Sequence, residues 1–249
     1  VSGNHGGVDA WVVKLDGAGN KVWQRCLGGS GTDWAFSIQQ TADGGYIVAG
    51  YTDSNDGDVS GNHGGGDAWI VKLDGFGNKV WQRCFGGSDG DMAFSIRQTT
   101  DDGYIFAGGT NSNNGDVSGN HGGVDTWVVK LDSAGNKLWQ RCLGGSGIEL
   151  GLSSVEQTSD GGYVVIDTTG SNDGDVSGNK GYWDVWVVKL NSTGSLVWQK
   201  CLGGTSVEYG FSIQQTFDGG YVLAGLTASN DGDVSGNHGG IDIWVVKLK

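Results

Sequence analysis

The chain has 249 residues, of which 50 are glycine and none proline, with 11 tryptophans and a net charge of −13. Glycine at this level without proline excludes collagen and Pro/Gly linkers, and the aromatic content excludes a disordered chain. The negative balance disfavours nucleic acid and anionic membrane surfaces as partners, and no apolar run reaches the ~18 residues of a membrane span. Glycines also recur too densely for long helices, each costing about 1 kcal/mol relative to alanine in a helix interior.

The segment Val-Ser-Gly-Asn recurs at Val1, Val59, Val117, Val176 and Val234, at intervals of 58, 58, 59 and 58 residues. Residues 1–58 and 59–116 differ at only 14 of 58 positions, so the chain is a tandem repeat. The extra residue of the third copy lies between Cys142 and Gln157 and reads as a β-bulge.

Within the first copy, residues 11–15 alternate apolar and polar as a strand does. The turn Asp16-Gly-Ala-Gly-Asn20 leads to a second strand over 21–26, and Gly28-Gly29 to a third over 35–41. Asp43-Gly-Gly45 tolerates positive φ and predicts a hairpin into a fourth strand over 46–50.

Four short strands per unit of this length point to a β-propeller blade. The expected fold is an all-β propeller with little or no helix, one domain over 1–249. Its repeats are 1–58, 59–116, 117–175 and 176–233, with a closing segment 234–249. Seventeen strands exceed the complement of four blades by one and fall three short of five. Four blades are the preferred count and five the alternative. Closure is expected where C-terminal inner strands pair with N-terminal outer ones.

The run Val12-Val-Lys-Leu-Asp16, Gly19-Asn-Lys-Val-Trp23 and Gly28-Gly29 resembles the outer hairpin of quinoprotein-type propeller blades. The whole unit resembles repeats of secreted bacterial proteins carrying Asp-Gly-Gly-Tyr-Ile-Val-Ala-Gly and Asp-Gly-Asp-Val-Ser-Gly-Asn, here Asp43 to Gly50 and Asp56 to Asn62. That resemblance implies a secreted or surface-attached propeller with no generally assigned activity.

The loop entering the first strand type matches a Ca2+-binding template. Asp56, Asp58 and Ser60 stand at positions 1, 3 and 5, Gly61 at 6, Asn62 at 7 and Asp67 at 12. The other copies are Asn114, Asp116, Ser118, Asn120 and Asp125; Asp173, Asp175, Ser177, Asn179 and Asp184; and Asp231, Asp233, Ser235, Asn237 and Asp242. Alternate residues of such a loop turn oxygens toward one centre, so Ca2+ is the expected cofactor. Plain self-bonded Asp/Asn turns are the alternative.

His5, His63, His121 and His238 share one position, with Lys180 in the remaining copy, and read as polar loop residues because no second ligand stands at zinc spacing. Cys26, Cys84, Cys142 and Cys201 also share one position and read as small buried hydrophobes, too far apart to bridge.

Asp33, Asp91, Glu149 and Glu208 form a repeated carboxylate beside the variable Trp34, Met92, Leu150 and Tyr209. Asp33 with Trp34 and Tyr209 is a candidate sugar site, and Tyr182 with Trp183 a candidate aromatic platform, the alternative being that Trp183 packs on the next blade.

These features point to a non-enzymatic secreted or surface module with glycans or another surface protein as partner. A glycoside hydrolase is the competing reading, but near-identical repeats supply equivalent carboxylates where an acid–base pair needs dissimilar ones. Only Glu156, Asp167 and the Tyr182-Trp183 pair break the pattern. A scaffold that self-assembles from repeats is the third reading.

Overall fold

The computed structural model describes residues 3–249. All regular structure is β, with no helix among these residues. The first sheet is a hairpin of β1 (Ala10–Leu15) and β2 (Lys21–Leu27). Three four-stranded antiparallel sheets follow in chain order. The second sheet holds β3 (Asp33–Gln40), β4 (Tyr46–Thr52), β5 (Asp67–Leu73) and β6 (Lys79–Phe85). The third holds β7 (Asp91–Gln98), β8 (Tyr104–Thr110), β9 (Asp125–Leu131) and β10 (Lys137–Leu143). The fourth holds β11 (Ser154–Gln157), β12 (Tyr163–Thr169), β13 (Asp184–Leu190) and β14 (Leu196–Leu202). A three-stranded fifth sheet, β15 (Glu208–Gln215), β16 (Tyr221–Thr227) and β17 (Asp242–Leu248), ends the series.

The core is a series of apolar layers between successive sheets. Val48, Trp69 and Val71 face the first sheet, while Ile47 and Ile70 of the same strands face Phe106, Trp127 and Val129 of the third. Central strands are therefore apolar on both faces, and β5, β9 and β13 are buried along their whole length. The buried indole N–H of Trp69 donates to Gln82 Oε1 at 2.9 Å, and Trp127 and Trp186 repeat the bond to Gln140 and Gln199. Outer-edge Trp81, Trp139 and Trp198 pack edge-on against Tyr104, Tyr163 and Tyr221 of the following sheet.

Each Asp-Gly-Gly hairpin is tied down by a lysine from the neighbouring strand. Lys72 Nζ reaches Asp43 at 2.8 Å, and this bond, with those from Thr41 and Gly45, holds the Asp43 carboxyl well below the usual range. Gly44, Gly161 and Gly219 take φ near +80° in this turn; the second repeat has Asp102 there at φ 61°.

Two expectations differ from the structure. Among the described residues, closure by pairing of terminal strands is absent: β1 pairs only with β2, and the β15–β17 sheet gains no fourth strand. Strand pairing therefore fixes neither four blades nor five. The third-repeat insertion is also more than a bulge. Residues 150–153 leave the ladder, so β11 keeps four residues where β3, β7 and β15 have eight.

Candidate functional site

The loops before β5, β9, β13 and β17 turn as the template requires at one point: Gly61, Gly119, Gly178 and Gly236 all have φ between 83° and 89°. Their side chains go to separate neighbours. At position 1, Asp56 Oδ1 accepts the Ser30 N–H at 2.7 Å, with Asn114, Asp173 and Asp231 repeating this on Ser88, Ser146 and Thr205. At position 3, Asp58 and Asp116 pair with Lys79 and Lys137, Asp233 with Lys180, and Asp175 Oδ2 accepts the Gly144 N–H. At position 5, Ser60, Ser118 and Ser177 accept from Gln82, Gln140 and Gln199; no such bond is formed by Ser235 among the described residues. At position 7, the Asn62, Asn120, Asn179 and Asn237 amides donate to the carbonyls of Thr52, Thr110, Thr169 and Thr227. In this conformation the loop oxygens are spread over several partners, a poor fit to one Ca2+ coordinated from positions 1, 3 and 5. Among the described residues, no three His, Cys, Asp or Glu side chains group as for a metal ion.

Position 12 behaves differently. Asp67 is buried; its Oδ2 accepts from His63 Nδ1 at 2.6 Å and from the His63 N–H, while Oδ1 has no hydrogen-bond partner. Asp9 and Asp125 repeat both the histidine bond and the orphaned oxygen, and Asp184 has the orphaned oxygen with Lys180 replacing the histidine.

Across the Gly-Gly segment stands the repeated carboxylate. Asp91 is fully buried, receives Thr110 Oγ1 on one oxygen, and on the other Ser112 Oγ and the Gly87 N–H, both at 2.8 Å. Asp33, Glu149 and Glu208 sit equivalently, accepting from Thr52, Thr169 and Thr227. All four are interior groups. A Cβ added to Gly86 would lie 2.5 Å from Asp91 Oδ2 and 2.7 Å from Asp67 Oδ1, so both carboxylates close on the same glycine. Burial pushes the carboxyls of Asp67, Asp91, Asp125, Glu149 and Asp184 above their ordinary range. The sequence reading placed the two halves of each pair in separate motifs; the signal it lacked is their common approach to the first glycine after each cysteine strand.

The aromatic candidates do not gather into one site. Trp34 stands beside Tyr51 and Phe36 and, with Trp11 and Asp33, lines a groove of about 450 Å3 at the first sheet. Tyr209 is on the fifth sheet, three sheets away from Trp34. Trp183 bridges to Val207 and its carbonyl accepts the Glu208 N–H, so it joins the next sheet, while Tyr182 projects 73 % exposed. Cys84, Cys142 and Cys201 are buried free thiols raised to about 12 by burial.

No protein-family profile and no curated protein matches the chain. Two solved structures resemble it distantly. Sqt1 from Chaetomium thermophilum is 13% identical with a TM-score of 0.40, covering 78% of this chain, which spans only 41% of that protein. CoXyl43, a GH43 β-xylosidase/α-arabinofuranosidase from a compost metagenome solved with xylotriose in a calcium-free form, is 9% identical with a TM-score of 0.44, covering 90% of this chain and 71% of that one. Likeness this distant assigns neither family nor activity.

Proposed function

We propose that the chain is a non-catalytic structural module, secreted or at the cell surface, whose terminal sheets each pack against a further unit of the same repeat, which for these 249 residues by themselves is a second copy. The observation that carries this reading is the pair of apolar faces at the two ends. Ile243 and Val245 of β17 occupy the positions of Ala68 and Ile70, which are fully buried with Trp127, Val129 and Leu131 of the next sheet. Here they are 87 % and 64 % exposed. On the first sheet, Trp11 and Leu15 stand where Trp127 and Leu131 stand, yet are 53 % and 55 % exposed. The two ends thus carry opposite halves of one joint that the molecule already makes between its own sheets, and exposed apolar faces of this kind mark interaction surfaces. Because the halves differ, the contact is head-to-tail.

Catalysis is disfavoured because the repeated carboxylates are equivalent and buried. Asp167, the one symmetry-breaking acid in a strand core, is 1 % exposed and spent on backbone and threonine bonds. Location outside the cell rests on the resemblance to secreted repeats. Sedimentation velocity over a concentration series tests the docking: mass is expected to grow with concentration and to stay monomeric in Ile243→Asp. A strict monomer at all concentrations would overturn it. Carbohydrate binding is a second reading, favoured by the exposed ring of Tyr182. A glycan array giving signal lost in Tyr182→Ala supports it, and blank signals oppose it.

A further inference from the structure

We propose that each buried carboxylate pair is a calcium site, with one Ca2+ held between Asp67 Oδ1 and Asp91 Oδ2 and likewise at Asp9–Asp33, Asp125–Glu149 and Asp184–Glu208. The inference is independent of the end-to-end docking.

Asp67 Oδ1 is the first reason. It lies on a side chain with no exposed surface and has no donor, while the other oxygen of the same carboxylate has two. A buried acceptor left unpaired costs about 1–3 kcal/mol, and native structures keep few of them. Here the same atom is orphaned four times, at Asp9, Asp67, Asp125 and Asp184.

The second reason is the carboxylate that faces it. A Cβ built on Gly86 would lie within 2.7 Å of both Asp67 Oδ1 and Asp91 Oδ2, so the two oxygens close on the same glycine. One built on Gly28 would likewise lie between Asp33 Oδ2, at 2.6 Å, and Asp9 Oδ1, at 3.0 Å. Both oxygens of the Gly86 pair lie within 2.7 Å of one point, so they are no more than about 5 Å apart, within the span of one ion with metal–oxygen distances of about 2.3–2.6 Å.

Charge and donor type select the ion. Two carboxylates repel in a buried place, and one divalent cation neutralises both. All the donors are oxygen, which suits a hard cation. Mg2+ dehydrates reluctantly and demands octahedral geometry, whereas Ca2+ accepts irregular shells, so Ca2+ suits this donor set better. This centre uses the last residue of each loop with a carboxylate from the following strand, and leaves positions 1, 3 and 5 to their protein partners. Asp242 has no such companion among the described residues and its side chain is 30% exposed, so four ions per chain are expected.

Equilibrium dialysis of the full chain against Ca2+ at neutral pH is the test, with thermal melts alongside. The expected result is four Ca2+ per chain and a melting temperature raised by Ca2+. Asp67→Asn and Asp125→Asn should each bind three, and Asp58→Asn and Asp116→Asn four. Asp9→Asn, in the terminal two-stranded sheet, serves where an interior variant fails to fold, and should also bind three. The proposal is overturned if no Ca2+ is taken up. Equally, it fails if Asp58→Asn loses an ion that Asp67→Asn keeps, or if Ca2+ leaves melting unchanged.

Discussion

The backbone N–H of Gly151 donates to the Asp167 carboxylate at 3.1 Å, over the stretch where the third repeat carries its extra residue. The equivalent residues Gly50, Gly108 and Gly225 are glycine because a Cβ there would fall on the carbonyl oxygen of Trp34, Met92 or Tyr209 in the paired strand. Asp167 has a side chain at that point, the paired strand moves off the ladder, and the carboxylate takes over an amide the ladder has lost. Insertion and substitution are one compensated change. Asp167→Gly should therefore destabilise the chain by about 1–3 kcal/mol, because Gly151 N–H and Thr126 Oγ1 lose their acceptor. Chemical denaturation reads this directly; an unchanged midpoint would show that the carboxylate compensates nothing.

The same residue sets a pH dependence. Burial raises the Asp167 carboxyl to about 7, with the Glu149 charge adding to it, against bonds from Thr126, Thr168 and Gly151 that lower it. The folded state then binds a proton that the unfolded chain releases near pH 4. This contribution is complete below about pH 4 and is lost as pH rises through 7, on the order of a few kcal/mol. In calcium-free buffer, Asp167→Asn should flatten that part of the stability curve between pH 4 and 7. Parallel curves for the two proteins would refute the assignment.

Asp102 is the one non-glycine residue with positive φ among those described, in a hairpin position filled elsewhere by Gly44, Gly161 and Gly219. Asp102→Gly should stabilise by about 1 kcal/mol, the cost of a left-handed conformation for a side-chain-bearing residue. A drop in melting temperature would contradict the strain.

Equivalent tryptophans should differ sharply. Trp127 is fully buried, lies edge-on to Phe106 and bonds Gln140, so Trp127→Ala should cost about 3–5 kcal/mol. Trp11→Ala, at a half-exposed position, should cost about 1 kcal/mol in the monomer. Equal losses would mean that the first sheet is covered in solution.

Much of the fold was legible because each strand is bounded by its own turn chemistry. Asp43-Gly-Gly45 and Asp16-Gly-Ala-Gly-Asn20 mark hairpins whatever surrounds them, and the strands fall where those turns and the alternation place them except β11, which the insertion cuts to four residues. The loop spacing from Asp56 to Asp67 was equally visible, but the directions of its side chains were not. Those depend on Lys79 and Gln82, which follow in the next strand and reach back over 21 and 22 residues. The pairing of Asp67 with Asp91 was hidden for the same reason: it exists only once the sheets stack. Ring closure was argued from strand arithmetic, whereas the terminal sheets keep the pairing that chain neighbours give them.

End-to-end docking is tested most directly by mixing two disabled chains, Trp11→Asp and Ile243→Asp, in sedimentation velocity. Each alone should be a monomer, and an equimolar mixture should give a heterodimer and nothing larger, since one intact end of each kind remains. Monomers in the mixture, or dimerisation of either variant by itself, would contradict a head-to-tail joint.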